Sequence, residues 1–144
     1  MSIRLKLDGF EELLKEIEKA GGSINGATKK CMEQSASIMD SELKAQMSSS
    51  GVENRLIFAM PPPEIETSGN RITARVGYKK GAYDPQNPSD GYLVVFLNYG
   101  TPNRTKHGKI IARGFIQRAK KKANKLIKAE QEKTLKEILK GLQQ

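Results

Sequence analysis

At 144 residues the chain is long enough for one domain with a core of its own and too short for two. A single cysteine excludes an internal disulfide, and no run of about 18 apolar residues is present to span a membrane; without an apolar N-terminal run, the expected site before any assembly is the cytoplasm. The net charge of +9 is one-sided: residues 100–144 hold 13 Lys/Arg against three acids, a net of +10, and residues 1–99 hold 12 against 13, a net of −1. Such a surface suits nucleic acid, an acidic protein partner or the wall of a DNA channel.

Residues 3–7 alternate apolar and basic, as a short edge strand or an extended arm would. Asp8 then reads as a helix N-cap with Glu11 three residues on, and Phe10, Leu13, Leu14 and Ile17 share one face of a helix from about Gly9 to Ala20, ended by Gly21-Gly22. A second, long helix is predicted from Ile24 to Met47. It carries one stripe of Ile24, Ala27, Cys31 and Ile38 and an adjacent one of Met32, Ala36, Met39, Leu43 and Met47. This wide face of small and flexible side chains suits a helix laid across a sheet, with the methionines filling core space and Cys31 a buried rather than a reactive thiol. Ser48-Ser49-Ser50-Gly51 breaks it.

The pattern from Val52 to Met60 leaves a short helix and a strand both open, and Pro61-Pro62-Pro63 is a stiff spacer. Glu64–Thr67 and Arg71–Tyr78 form a hairpin across Ser68-Gly69-Asn70, with Ile72, Ala74, Val76 and Tyr78 on one face and Arg71, Thr73 and Arg75 on the other. Residues 79–91 have no periodicity and contain two prolines, the profile of a long functional or disordered loop, one that in a ring assembly could order only against a neighbour. From Tyr92 to Tyr99 every residue but Asn98 is apolar or aromatic. That is the length and composition of a strand buried on both faces, although periodicity leaves helix or strand open.

Gly100-Thr101-Pro102 stops this run and reads as a structural corner or as a contact with another subunit. A basic loop with Arg104, Lys106, His107, Lys109 and Arg113 leads to the last helix. There Phe115, Ile116, Ala119, Ala123, Leu126 and Ile127 lie on one face, and Arg118, Lys120, Lys121, Lys122, Lys125 and Lys128 lie largely on the other. The apolar stripe breaks at Glu130-Gln131-Glu132 and resumes at Leu135, Ile138, Leu139 and Leu142. Residues 130–144 therefore read either as a projecting end that meets another subunit or as a frayed terminus. Together these elements predict a single α+β domain over residues 1–144, a small antiparallel sheet packed against a long helix, with N-terminal and C-terminal helices.

Catalytic chemistry finds little to use. His107 is the only histidine, no acid lies between Asp90 and Glu130, and neither zinc-ligand spacing nor a phosphate-cradling or nucleophile-elbow motif is present. A structural role without catalysis or cofactor is the expectation. Direct nucleic-acid binding through the basic loop and helix is the alternative.

The order of motifs resembles the tail-completion, or head–tail joining, family of long-tailed bacteriophages and prophages. In that family an aromatic-rich segment ends in Gly-Thr; here it ends as Asn98-Tyr99-Gly100-Thr101. After a variable loop, Ala112-Arg113-Gly114-Phe115-Ile116-Gln117-Arg118-Ala119 is similar to the family's Ala-Arg-Pro-Phe-Leu helix start, with glycine where proline is usual. Gly9-Phe10-Glu11-Glu12-Leu13 matches its opening helix, whereas the usual Gly-x-Leu-x-x-Ser-Ile segment has only a loose echo in Gly51 and Arg55-Leu56-Ile57. The resemblance implies a virion protein of the head–tail junction that completes the tail or joins it to the head. It would work as a ring of identical subunits, sixfold for a tail-side ring, against head-connector and tail-tube or tail-terminator proteins, with non-specific contact with passing DNA and none with membrane. On this reading Tyr99, Gly100, Thr101, Arg104, Lys106, His107, Lys109, Arg113, Leu135, Ile138, Leu139 and Leu142 are candidate subunit or partner contacts. Arg118, Lys121, Lys122, Lys125 and Lys128 are the candidate DNA-channel or acidic-partner face.

Overall fold

The computed structural model describes residues 2–69, 71–78, 90–101 and 110–144. Among these, three strands and five helices follow in the order β1 (Ser2–Leu5), α1 (Glu11–Lys19), α2 (Ile24–Ser49), α3 (Asn54–Phe58), β2 (Glu64–Ser68), β3 (Arg71–Gly77), α4 (Asp90–Tyr99) and α5 (Phe115–Leu142). The α+β class is as predicted. The strands form an antiparallel sheet in the order β1-β3-β2, with Ile3 opposite Val76 and Ile65 opposite Ala74. Alternation sets this register, because Ile72, Ala74, Val76 and Tyr78 are all buried while Arg75 on the other face reaches Glu66 at 3.3 Å.

The two stripes of α2 serve two clusters. Met32, Ala36, Met39, Leu43 and Met47 pack with the sheet and the first half of α5, whereas Ala27 and Cys31 join Ile17 of α1 and Leu135 of α5. Ile38, expected with Ala27 and Cys31, packs against the first cluster instead. Cross-links between α2 and α5 fall in reverse sequence order, from Cys31 with Gln131 to Gln46 with Arg118, so the two long helices run antiparallel. Both buried clusters thus depend on α5.

Helix ends show where local chemistry acts. Ser23 caps α2 by accepting from the Gly26 N–H at 3.1 Å. At the end of α1 the Gly22 N–H donates to the Ile17 carbonyl at 2.9 Å and the Gly21 N–H to Glu18 at 3.0 Å, a paired closure that places Gly21 at φ 93°. The start of α1 differs from expectation. Asp8 does not cap it; the chain turns at Gly9, Phe10 takes the cap position, and the Glu11 carboxylate reaches back to the Gly9 N–H at 3.4 Å. Residues 54–58 of the ambiguous stretch are helical, and the Tyr78 hydroxyl donates to the Leu56 carbonyl, tying α3 to the end of the sheet.

The run 92–99 is a helix and not a buried strand. Val94 and Asn98, four apart, are its fully buried pair, and Leu93 and Leu97, also four apart, pack against the main cluster. Uniformly apolar composition had concealed that spacing. On α5, Leu126 is 55% exposed rather than on the inner face, and Gln131 and Thr134 are buried where the apolar stripe breaks. The Gln131 amide donates to the Ser35 hydroxyl at 2.9 Å and the Thr134 hydroxyl to the Gln34 side chain at 2.5 Å, so the break is a satisfied polar layer against α2. The expected loop at 79–91 lies mostly outside the described residues.

Candidate partner-contact corner and basic helix face

The two motif pieces, separated by a loop, meet in space at the junction of α4, α5 and the end of α2. The Arg113 N–H donates to the Leu97 carbonyl at 3.0 Å and the Gly114 N–H to Asn98 at 3.1 Å, so the last carbonyls of α4 are satisfied by the chain entering α5. Gly114 occupies the cap position of α5 in a left-handed conformation and has no side chain to offer. Asn98 supplies the missing acceptor: its Oδ1 takes the Ile116 N–H at 2.9 Å from a fully buried position. Its Nδ2 has no hydrogen-bond partner in this structure among the described residues.

Gly100 and Thr101 fix the other side of the corner. The Thr101 N–H donates to the Ile110 carbonyl at 3.0 Å, and the Thr101 hydroxyl accepts the Ile110 N–H at 2.9 Å. At Gly100, φ is 78° and a Cβ would meet the Ile110 carbonyl oxygen at 2.7 Å, so both backbone conformation and close approach require glycine. Residues 110–113, part of the expected basic loop, are thus pinned at both ends.

Both arginines of this region work inside the molecule. Arg113 Nη1 donates to the carbonyls of Ser50 (3.3 Å) and Gly51 (3.2 Å) at the C-terminus of α2. Arg118 donates through Nη1 to the Arg113 carbonyl at 2.6 Å, through Nε to Gln46 Oε1 at 3.2 Å and through Nη2 to the Ser50 hydroxyl. Arg113 thus satisfies two carbonyls at the C-terminal end of α2, Arg118 satisfies side-chain acceptors there, and both charges sit at the negative end of the α2 dipole. Arg113, expected at a partner contact, is half-buried in these internal bonds, and Arg118, exposed on the basic side of α5 as expected, also has its donors engaged within the chain, which a planar fork of donors suits.

The other predicted residues divide three ways. Tyr99 is 60% exposed, and Ile111, in the chain between the two residues that approach Gly100, is 76% exposed. Arg104, Lys106, His107 and Lys109 lie outside the described residues. The end of α5 does not project: Leu135 is fully buried between α1 and α2, Ile138 and Leu139 pack against the same cluster, and only Leu142 retains notable exposure beside Gly22. Leu13 and Leu14 of α1 pack against the same cluster, so Leu135, Ile138 and Leu139, expected as subunit contacts, have an intramolecular role here, and Leu142 lies outside that cluster.

Sequence reasoning missed a groove of about 290 Å³ between α3, α4 and residues 110–113, lined by Leu56, Leu93, Phe96, Leu97, Ile110 and Arg113. Phe58, at the end of α3, is 82% exposed. An apolar residue in a stretch with no assignable period was the only available signal. Lys121, Lys122, Lys125 and Lys128 are exposed as predicted, and no ion pair is formed by them among the described residues. Cys31 is buried, its thiol donating weakly to the Gln131 carbonyl, and desolvation pushes its pKa up to about 11, against the reactive reading. Comparison with family models, curated proteins and solved structures finds no match, so the motif resemblance stands on its own residues.

Proposed function

We propose that this chain is a structural protein of a phage or prophage head–tail junction. It completes the tail or joins it to the head as a ring of identical subunits, and it acts by surface complementarity without catalysis. The observation that carries this reading is the convergence of Asn98–Thr101 with Arg113–Arg118. The two halves of the family-like motif form one hydrogen-bonded corner, from which Tyr99 and Ile111 face outward. Large apolar side chains exposed around a rigid corner are the kind of anchor that partner interfaces use. The partners on this reading are further copies of the chain, six in a tail-side ring, with head-connector and tail-tube or tail-terminator proteins as neighbours.

Electron microscopy of particles carrying a labelled copy tests the assignment. Label at the neck in a closed ring is expected, together with untailed or unjoined heads when the chain is absent. The paired substitution Tyr99→Ser and Ile111→Ser should leave unfolding unchanged while lowering incorporation at least tenfold. Wild-type yields of joined particles without the chain would sink the reading.

A further inference from the structure

We infer that the outer face of α5, formed by Lys121, Lys122, Lys125 and Lys128, is a binding surface for the backbone of duplex nucleic acid, read without regard to sequence. This deepens the ring reading, which left the face open between a DNA channel and an acidic partner, by committing it to one occupant, and it is argued from the chemistry of one helix. Between Phe115 and Ala129 the helix carries six basic residues and no acid. Arg118 is occupied by Gln46, Ser50 and the Arg113 carbonyl; of the five lysines that remain, Lys121, Lys122, Lys125 and Lys128 fall within about 120° of one another around the helix, and Lys120 lies to one side of them. All four are exposed, and none is ion-paired among the described residues, in contrast to Lys136, about two turns beyond Lys128, which is held by Glu132 at 2.8 Å.

Charge density favours a duplex. At 1.5 Å rise per residue, Lys121 to Lys128 spans about 10 Å. A duplex carries one phosphate charge per about 1.7 Å of axis, so about six phosphates lie along that length, enough to oppose four lysines. Proteins that hold single strands add aromatic platforms for stacking; the only aromatic of α5, Phe115, is fully buried. Protein interfaces are depleted in lysine and need an apolar centre. Here the single exposed large apolar residue before Ala129, Leu126, falls about 100° around the helix from Lys125, at the margin of the basic face.

The test uses the full chain and a fluorescent 20-base-pair duplex, with anisotropy measured between 50 and 200 mM salt. Four neutralised phosphates give a slope of log K against log salt of about −3.6, a loss of roughly 150-fold over that range. Changing Lys121, Lys122, Lys125 and Lys128 to Gln should nearly flatten the slope and preserve the circular dichroism spectrum. Changing the exposed Lys15, Lys19, Lys29 and Lys30 to Gln removes equal charge elsewhere and should leave the slope within about one unit, the size of a single phosphate contact. Equal losses in the two variants, an unchanged slope in the first, a strong preference among duplex sequences, or displacement by polyglutamate as effective as by unlabelled duplex would each overturn the inference. Because the free chain is measured, such a failure leaves ring incorporation as a separate observation.

Discussion

Replacing Gly100 with alanine tests whether the corner between α4 and α5 holds the fold together. At φ 78° the new Cβ would lie 2.7 Å from the Ile110 carbonyl oxygen and 2.9 Å from the Ala112 nitrogen, and because both are backbone atoms no rotamer change relieves the contact. Left-handed backbone costs a residue with a Cβ about 1–2 kcal/mol. Moving residues 110–112 aside also weakens the two hydrogen bonds between Thr101 and Ile110, at roughly 0.5–1.5 kcal/mol each. The expected loss is therefore about 2–5 kcal/mol. Gly21→Ala supplies the comparison, since φ is 93° but a Cβ there meets nothing within 4 Å, so only the backbone cost of about 1–2 kcal/mol applies. Urea unfolding followed by circular dichroism gives both values, and Gly100→Ala should be worse by at least about 1 kcal/mol. Equal losses at the two glycines would show that the contact with residues 110–112 contributes nothing, and the corner would lose its place at the centre of the fold.

Three further perturbations probe the remaining elements. Leu135→Ala should destabilise by about 2–5 kcal/mol in urea, as a fully buried leucine does, and a loss below about 0.5 kcal/mol would mean that the end of α5 is not docked on α1. Asn98→Ala removes the acceptor for the Ile116 N–H and should cost about 1–2 kcal/mol; an unchanged unfolding midpoint would refute its capping role. The raised pKa of Cys31 means that the neutral thiol is favoured in the folded chain. Its contribution is complete below the unfolded value near 9 and is lost as pH rises through about 11, a fall of about 2–3 kcal/mol that Cys31→Ala should abolish.

Where one periodicity ruled a stretch, the sequence could be read directly. Ile72, Ala74 and Val76 alternate with Thr73 and Arg75, and strand β3 follows with its predicted buried face. The methionine stripe of α2 was legible because three and four residue spacings survive between its polar neighbours. In α4 nearly every side chain is apolar, so no contrast remained to distinguish period 3.6 from period 2, and only burial of Val94 with Asn98 reveals the turn of a helix. Gln131 failed as a boundary for a different reason. Its partner Ser35 is 96 residues away, and a polar residue satisfied at long range is indistinguishable in sequence from one facing solvent.

The candidate site was misread along the same line, because composition treats arginine and lysine as one charge. Arg113 and Arg118 lie within the densest basic stretch of the chain, yet their planar donors are directed at the carbonyl and hydroxyl oxygens that end α2. The lysines that follow have flexible stems and compact charges, and they stay in solvent. The entry to α5 and the helix itself therefore carry two kinds of positive charge with different work: Arg113 and Arg118 hold the start of α5 against the end of α2, and Lys121, Lys122, Lys125 and Lys128 are left to meet something outside. That division also explains how the net charge of +10 in residues 100–144 is compatible with a packed fold. Among the described residues, Arg113 and Arg118 are matched by acceptors at the end of α2, and Lys121, Lys122, Lys125 and Lys128 lie where water screens their mutual repulsion until a polyanion replaces that water.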